Sequence, residues 1–297
     1  MIRVRVPASI ANFGPAFDSL GIGVTLYNTV ELDVGVSPSV EVFGEGETAI
    51  PRDASNLVHR GAERVARRAG RTGAFRIRCD NRIPIGRGLG SSAAAIVAGA
   101  VAANEAFGKP LGIDDLLDLA WKLEGHPDNV AAALLGGAVL TCTTDGRVAW
   151  TRLTPVWKVA LVVAVPECVV ATERARAVLP AQVPLRDAIT NVSRTGWLVT
   201  AMLTGRTDLL KTAMEDTLHQ PYRKALVPGM DAVFAAARAA GAHAAALCGS
   251  GPSVVAVAPP ERAEAVGRRM VAAFESAGSR ARFLRVQVDQ CGATLLT

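Results

Sequence analysis

Apolar and polar residues alternate strictly at Ile2-Arg3-Val4-Arg5-Val6, the period of a half-buried β-strand. Strand patterns return over residues 30–36, 40–43 and 75–79. Between them, 56–69 places its apolar residues at helical spacing, with Ser55 or Asn56 set to cap it. Residues 93–107 form a helix of mostly small side chains, able to lie close against a sheet. A further helix is expected over 113–123 with Asp114 as its cap, and a short apolar one after Asn129. Segments 139–143 and 147–152 flank Asp145-Gly146, a hairpin signal. Beyond Pro155, strands are expected at 159–165, 244–248, 254–258 and 282–288, and helices at 185–203, 230–240 and 261–277. Both halves mix the two periods without a clean βαβ repeat, so the pattern predicts an α+β protein. At 297 residues the chain is long for one core, and the reading divides it into domains 1–155 and 156–297.

The charge of +5 changes this picture little. Arg64, Arg67, Arg68 and Arg71 cluster at helical spacing and read as a solvated face. Aromatic residues are 5% of the chain, too few to interleave a nucleic-acid groove, so no nucleic-acid partner is expected. The five cysteines are dispersed, with no Cys-x-x-Cys, against a disulfide framework or zinc site. No secretory leader and no membrane-spanning run is expected, and the reading is a cytoplasmic protein.

The candidate chemistry lies at Pro84-Ile85-Gly86-Arg87-Gly88-Leu89-Gly90-Ser91-Ser92-Ala93-Ala94. Glycines let main-chain N–H groups approach a ligand, and a helix starting at the serines aims its positive end at the same point. A Walker loop would need a Lys that is missing here, and a dinucleotide fingerprint would need its third glycine elsewhere. A turn without a ligand would give no return on the entropy cost of three glycines.

This loop resembles the Pro-x-x-x-Gly-Leu-Gly-Ser-Ser-Ala-Ala motif of the GHMP kinase superfamily at every specified position. Two further motifs stand in the family's order, one before the loop at 12–18 and one after it at Gly249-Ser250-Gly251-Pro252-Ser253. The first, Pro7-Ala8-Ser9-Ile10-Ala11-Asn12-Phe13-Gly14-Pro15-Ala16-Phe17-Asp18, is most similar to that of the homoserine kinases, departing at Ala16, where glycine is usual. Segments 124–129, 175–180 and 220–229 resemble the same branch.

The resemblance implies a two-domain fold, with an N-terminal ribosomal-S5-like domain and a C-terminal ferredoxin-like domain. It implies phosphorylation of the L-homoserine hydroxyl by ATP, in threonine synthesis, with Mg2+, without a dedicated base, and in a homodimer. ATP is then held by Asn56, by residues Pro84 to Ala94 as quoted, and by Gly249, Ser250 and Gly251. Ser92 and Glu124 hold the metal. Asp18 takes the substrate ammonium, Arg176 and Arg223 its carboxylate, and Asn12 its hydroxyl, with His126 and Asn129 lining the pocket. Asn12, Asn129, Ser92 and Glu124 form the catalytic set. On residue type alone, Asn12 and Asp18 are turn residues, Asn56, His126 and Asp128 are caps, and the two arginines are surface residues. A mevalonate-type kinase and a non-catalytic sensor on the same fold are the rival readings.

Overall fold

The computed structural model describes residues 1–35 and 37–296. Val36, the end of one expected strand, lies outside them. The α+β expectation is met by two sheets, each backed by helices. The strands are β1 (Ile2–Ala11), β2 (Leu20–Val34), β3 (Ser39–Gly44), β4 (Phe75–Asn81), β5 (Ala138–Thr144), β6 (Arg147–Leu153), β7 (Ala160–Pro166), β8 (Ala244–Leu247), β9 (Val254–Ala258), β10 (Ala281–Val286) and β11 (Thr294–Leu295). The helices are α1 (Leu57–Arg68), α2 (Ser91–Ala106), α3 (Ile113–Glu124), α4 (Pro127–Leu135), α5 (Thr172–Ala177), α6 (Leu185–Thr204), α7 (Leu210–Ala213), α8 (Gln220–Arg223), α9 (Met230–Ala239) and α10 (Ala263–Ser276).

The first sheet runs β11-β1-β2-β4-β3, with β5 and β6 continuing from β2. Its pairs are antiparallel except β3–β4. Pro7, which cannot donate to a ladder, sits where the β1–β2 register shifts, the usual place for a strand proline. The second sheet runs β10-β7-β9-β8, all antiparallel. With α9 and α10 as crossovers, this 4-1-3-2 order is that of a ferredoxin-like unit. The tail closes back on the first sheet, where Thr294 and Leu295 pair with Arg5 and Val4.

Helix α2 is apolar all round and buried along most of its length, as its small residues allow. It crosses α1 at close range because Gly61 and Gly99 sit in the contact. A Cβ on either would strike main-chain oxygen, that of Ile96 or that of Val58. Asn56 caps α1, its Oδ1 accepting the Val58 N–H at 2.9 Å. Helix α3 begins instead from Gly112, and Asp114 accepts the Trp150 indole N–H at 2.8 Å rather than capping. This packing brings the starts of α2 and α4 and the end of α3 to one place.

Candidate active site

Those three helix ends open on a cavity of about 350 Å³ that also reaches the 12–18 turn, α5 and Arg223. At one end, Gly86, Gly88 and Gly90 all adopt positive φ, at 63°, 73° and 68°. Space forbids a side chain as firmly as backbone does. A Cβ on Gly88 would meet the Cys248 carbonyl, and one on Gly90 the Ser9 hydroxyl. The first main-chain bond of α2 runs from Ala94 to Gly90, so the N–H groups of Ser91, Ser92 and Ala93 have no partner inside the helix. Such a helix start attracts anions.

Beside it, the Ser92 hydroxyl donates to Glu124 Oε1 at 2.5 Å. Glu124 is the last residue of α3, where the helix dipole disfavours a carboxylate. Burial pushes its pKa above the ordinary carboxylate value, against the opposing pull of His126 and Ser92. His126 Nδ1 lies 3.0 Å from Asp128 Oδ1, and its Nε2 lies 3.7 Å from Glu124. Burial pulls the His126 pKa down, but Asp128, Glu124 and Asp18 outweigh it, and the imidazole titrates above its ordinary value. Asp128 Oδ1 also accepts the Asn129 N–H at 2.7 Å, so both contacts fall on one oxygen of a side chain that is 1% exposed. His126 stands at the α4 N-cap position without a side-chain capping bond.

The other end is made of side chains. Asn12 and Asp18 both hold left-handed backbone, with φ of 68° and 54°. Asn12 accepts the Asp18 N–H at 3.0 Å and donates to the Gly249 carbonyl at 3.1 Å, which leaves one amide hydrogen free. Arg176 on α5 reaches both Asp18 oxygens, at 2.8 and 2.9 Å. Arg223 is buried and has no carboxylate partner among the described residues. Burial and the neighbouring Arg176 push its pKa down to about 10. Ala16 needs no glycine, since its φ is not positive and its methyl is buried.

Most of the expected site residues line this one cavity. Arg87, Ala93, Ala94 and Gly251 do not. The Arg87 side chain turns toward the second sheet and donates to the carbonyls of Pro166, Ile85 and Glu167 at 2.8, 2.8 and 2.6 Å. Ala93 and Ala94 are packed inside α2, and Gly251 closes the third-motif turn on Cys248. Asn56 lines the cavity as well; its Oδ1 caps α1 and its Nδ2 donates to the Pro51 carbonyl at 2.8 Å, which leaves one amide hydrogen. Asn28, Asn81 and Phe17, outside the expected site residues, also stand in the cavity wall. Phe17 sat inside a quoted motif. Asn28 and Asn81 carried no signal, since each is a lone polar residue in a strand.

Residues 56–137 match the GHMP kinases N terminal domain, and residues 198–276 match the GHMP kinases C terminal domain. A homoserine kinase of Carboxydothermus hydrogenoformans is 44% identical over 297 residues, covering 99% of this chain and 96% of the relative. One from Moorella thermoacetica is 46% identical over 279 residues, covering 94% of each. The crystal structure of homoserine kinase from Cytophaga hutchinsonii superposes with a TM-score of 0.90 at 32% identity, covering 99% of this chain and 97% of that one. The glycine loop, the helix ends and the agreement over almost the full length point the same way: the chain belongs to the homoserine kinases of the GHMP kinase family.

Proposed function

We propose that the enzyme transfers the γ-phosphoryl group of ATP to the side-chain hydroxyl of L-homoserine, releasing ADP and O-phospho-L-homoserine for threonine synthesis. The observation that carries the reading is the Asp18–Arg176 ion pair beside Arg223, in the cavity whose far end is the glycine loop. A free α-amino acid is a zwitterion. It can give its ammonium to Asp18 and its carboxylate to Arg176 and Arg223 while each protein charge keeps a partner. A hydroxy acid without an ammonium offers Asp18 nothing in exchange.

The N–H groups of Gly86–Ser92 and the start of α2 suit the phosphates. Asn56, with one amide hydrogen left after its bonds to Val58 and Pro51, is placed beside the nucleotide in this reading. The hard oxygens of Ser92 and Glu124 stand together and fit a Mg2+ ion, which takes few protein ligands and completes its shell with phosphate oxygens and water. When bound, the ion neutralises charge on the phosphoryl oxygens. The acceptor oxygen bonds to phosphorus as the bond to the ADP oxygen breaks, and the hydroxyl proton passes to a phosphoryl oxygen. The reading assigns no base: Asp128, whose Oδ1 accepts the Asn129 N–H and lies 3.0 Å from His126 Nδ1, is taken to hold the start of α4 rather than to receive the proton. Positioning carries the rate. The free amide hydrogen of Asn12 and the side chain of Asn129 hold the acceptor hydroxyl.

The test is ADP release with homoserine, mevalonate and serine as acceptors. Turnover with homoserine alone is expected. Turnover with mevalonate alone would replace the acceptor assignment. Binding of ATP and homoserine without ADP release would make the protein a sensor.

The division near Pro155, the cytoplasmic setting and the homodimer belong to the same proposal. Free thiols at all five cysteines agree with a reducing compartment. Among the described residues no helix is long and apolar enough to cross a membrane. The homodimer is supported by α6, where Leu185, Ile189, Val192, Val199 and Leu203 follow a spacing of 4-3-7-4. Beyond Arg186 the exposed positions of α6 carry no charge.

A further inference from the structure

Arg223 is held in an unusual way for a buried cation. Its Nε donates to the Ala175 carbonyl at 3.1 Å, and its Nη1 donates to the Gly249 carbonyl at 3.0 Å and to His219 Nδ1 at 3.1 Å. Three of its five N–H bonds are thereby spent, and the two on Nη2 remain for a ligand. A guanidinium nitrogen can only donate, so His219 Nδ1 must be the acceptor. The other ring nitrogen, Nε2, lies 2.8 Å from the Gly14 carbonyl, which can only accept, so Nε2 carries the hydrogen. Both bonds are satisfied by one species, the neutral imidazole with its proton on Nε2. A second proton, on Nδ1, would point at Arg223.

We propose that His219 is a positioning residue for substrate binding, which as this neutral tautomer fixes Arg223 without cancelling its charge. The proposal rests on the reading that Arg223 meets the substrate carboxylate. A carboxylate in place of His219 would hold the guanidinium as well but would compete with the substrate for its charge. A neutral acceptor supplies direction alone. The ring is also clamped in orientation. It is 0% exposed and stacks on Phe17 with centroids 5.1 Å apart. The guanidinium carbons of Arg223 and Arg176 lie 5.3 and 5.6 Å from the centroid of the same Phe17 ring.

The charged groups around His219 fit a neutral ring. Arg223 faces Nδ1. Asp216 Oδ2 lies 3.5 Å from Nε2, but its oxygens are occupied by the N–H groups of Leu218, His219 and Gln220 and by Asn191. Asp18 acts from the first-motif turn and Arg176 from beyond Phe17. Burial is the largest influence on His219 and holds its pKa below the ordinary imidazole value.

Two experiments decide the matter. In the wild-type enzyme, nitrogen NMR of 15N-histidine should find His219 neutral and protonated on Nε2 at pH 6.5, with the signal assigned by its loss in His219→Asn. A charged ring, or a proton on Nδ1, would overturn the proposal. In steady-state kinetics, His219→Gln keeps a donor for Gly14 but removes the Nδ1 acceptor. It should raise the homoserine KM by about tenfold or more, as expected for one lost hydrogen bond to a charged group, and leave the ATP KM within about twofold. His219→Asn, with its oxygen near the Nδ1 position, should recover most of the loss. Equal losses in both variants, or parallel rises in both KM values, would mean a merely structural histidine. Arg223→Gln separates the two layers. If it leaves the homoserine KM unchanged, the carboxylate reading itself fails. If it raises that KM while His219→Gln does not, only the role of His219 fails.

Discussion

The two ends of the cavity are built from different material. At the glycine-loop end much of the wall is main chain from one stretch, Gly86–Ser92, where glycines leave no room for side chains, with the side chains of Ser92 and Glu124 beside it. At the Asp18–Arg176 end they are side chains from the first turn, α5 and α8, joined through shared carbonyls such as that of Gly249. Backbone recognition suits a ligand common to many kinases, since phosphates look alike. Side-chain recognition suits the partner that distinguishes one kinase from another. The difference teaches that changes at the first end should damage folding or turnover for any acceptor, whereas changes at the second should damage the choice of acceptor.

The largest effect is expected at the first end. Glu124→Gln removes the carboxylate proposed to hold magnesium and should lower kcat by about 10³-fold, the scale of several kcal/mol of lost charge stabilisation. The homoserine KM should stay nearly unchanged, and a rate–magnesium titration checks the assignment by shifting to higher concentration. Gly88→Ala comes next. Its methyl must displace the Cys248 carbonyl and main chain at Gly251 while holding a φ of 73°. A loss of about 2–4 kcal/mol in urea unfolding is expected from overpacking and strain together. If the variant folds normally and binds ATP normally, the backbone account of this end is wrong.

At the second end, Asp18→Asn should raise the homoserine KM by roughly 10–100-fold, as for loss of one partner from a charged hydrogen-bonded pair, with ATP binding intact. A comparable loss of ATP affinity would erase the contrast between the ends. Asp128→Asn should lower kcat by less than about tenfold. A fall of ~10²-fold or more, the range of a general base, would assign the missing base to Asp128. The smallest effect is a pH dependence of stability. Unfolded His219 binds a proton near its usual value of about 6.5, whereas burial makes the folded protein bind it only at lower pH. Between the two, the unfolded chain holds more protons, so stability rises with pH. The contribution is complete above about pH 6.5 and is lost as pH falls through the folded value. Urea unfolding of wild type and His219→Asn at several pH values should give a difference that narrows on acidification.

The same contrast explains what the sequence disclosed. The glycine loop was readable because its chemistry is contiguous. Residues 20–29 extend the strand expected from residue 30, and Gly21 and Gly23, residues usual in loops, mask that extension. In the fold they admit α4, since a Cβ at Gly21 would strike the Asp128 main chain and one at Gly23 would press on the Ala132 carbonyl. The two-residue β11 depends wholly on a partner at the other end of the chain. Asn12, Asp18, Arg176 and Arg223 were reached through the resemblance. His219, which makes no feature of its own in the sequence, becomes informative only when the carbonyl of Gly14 and the guanidinium of Arg223 are seen on its two sides.

Arg87 gives the glycine loop a property its glycines lack. A chain segment with three glycines has many conformations to lose, and a phosphate that had to order it would bind more weakly by that amount. The Arg87 side chain, tied to Pro166, Ile85 and Glu167, restricts the loop from its far side and away from the ligand. Much of the entropy of ordering is then met during folding, before the proposed phosphate arrives.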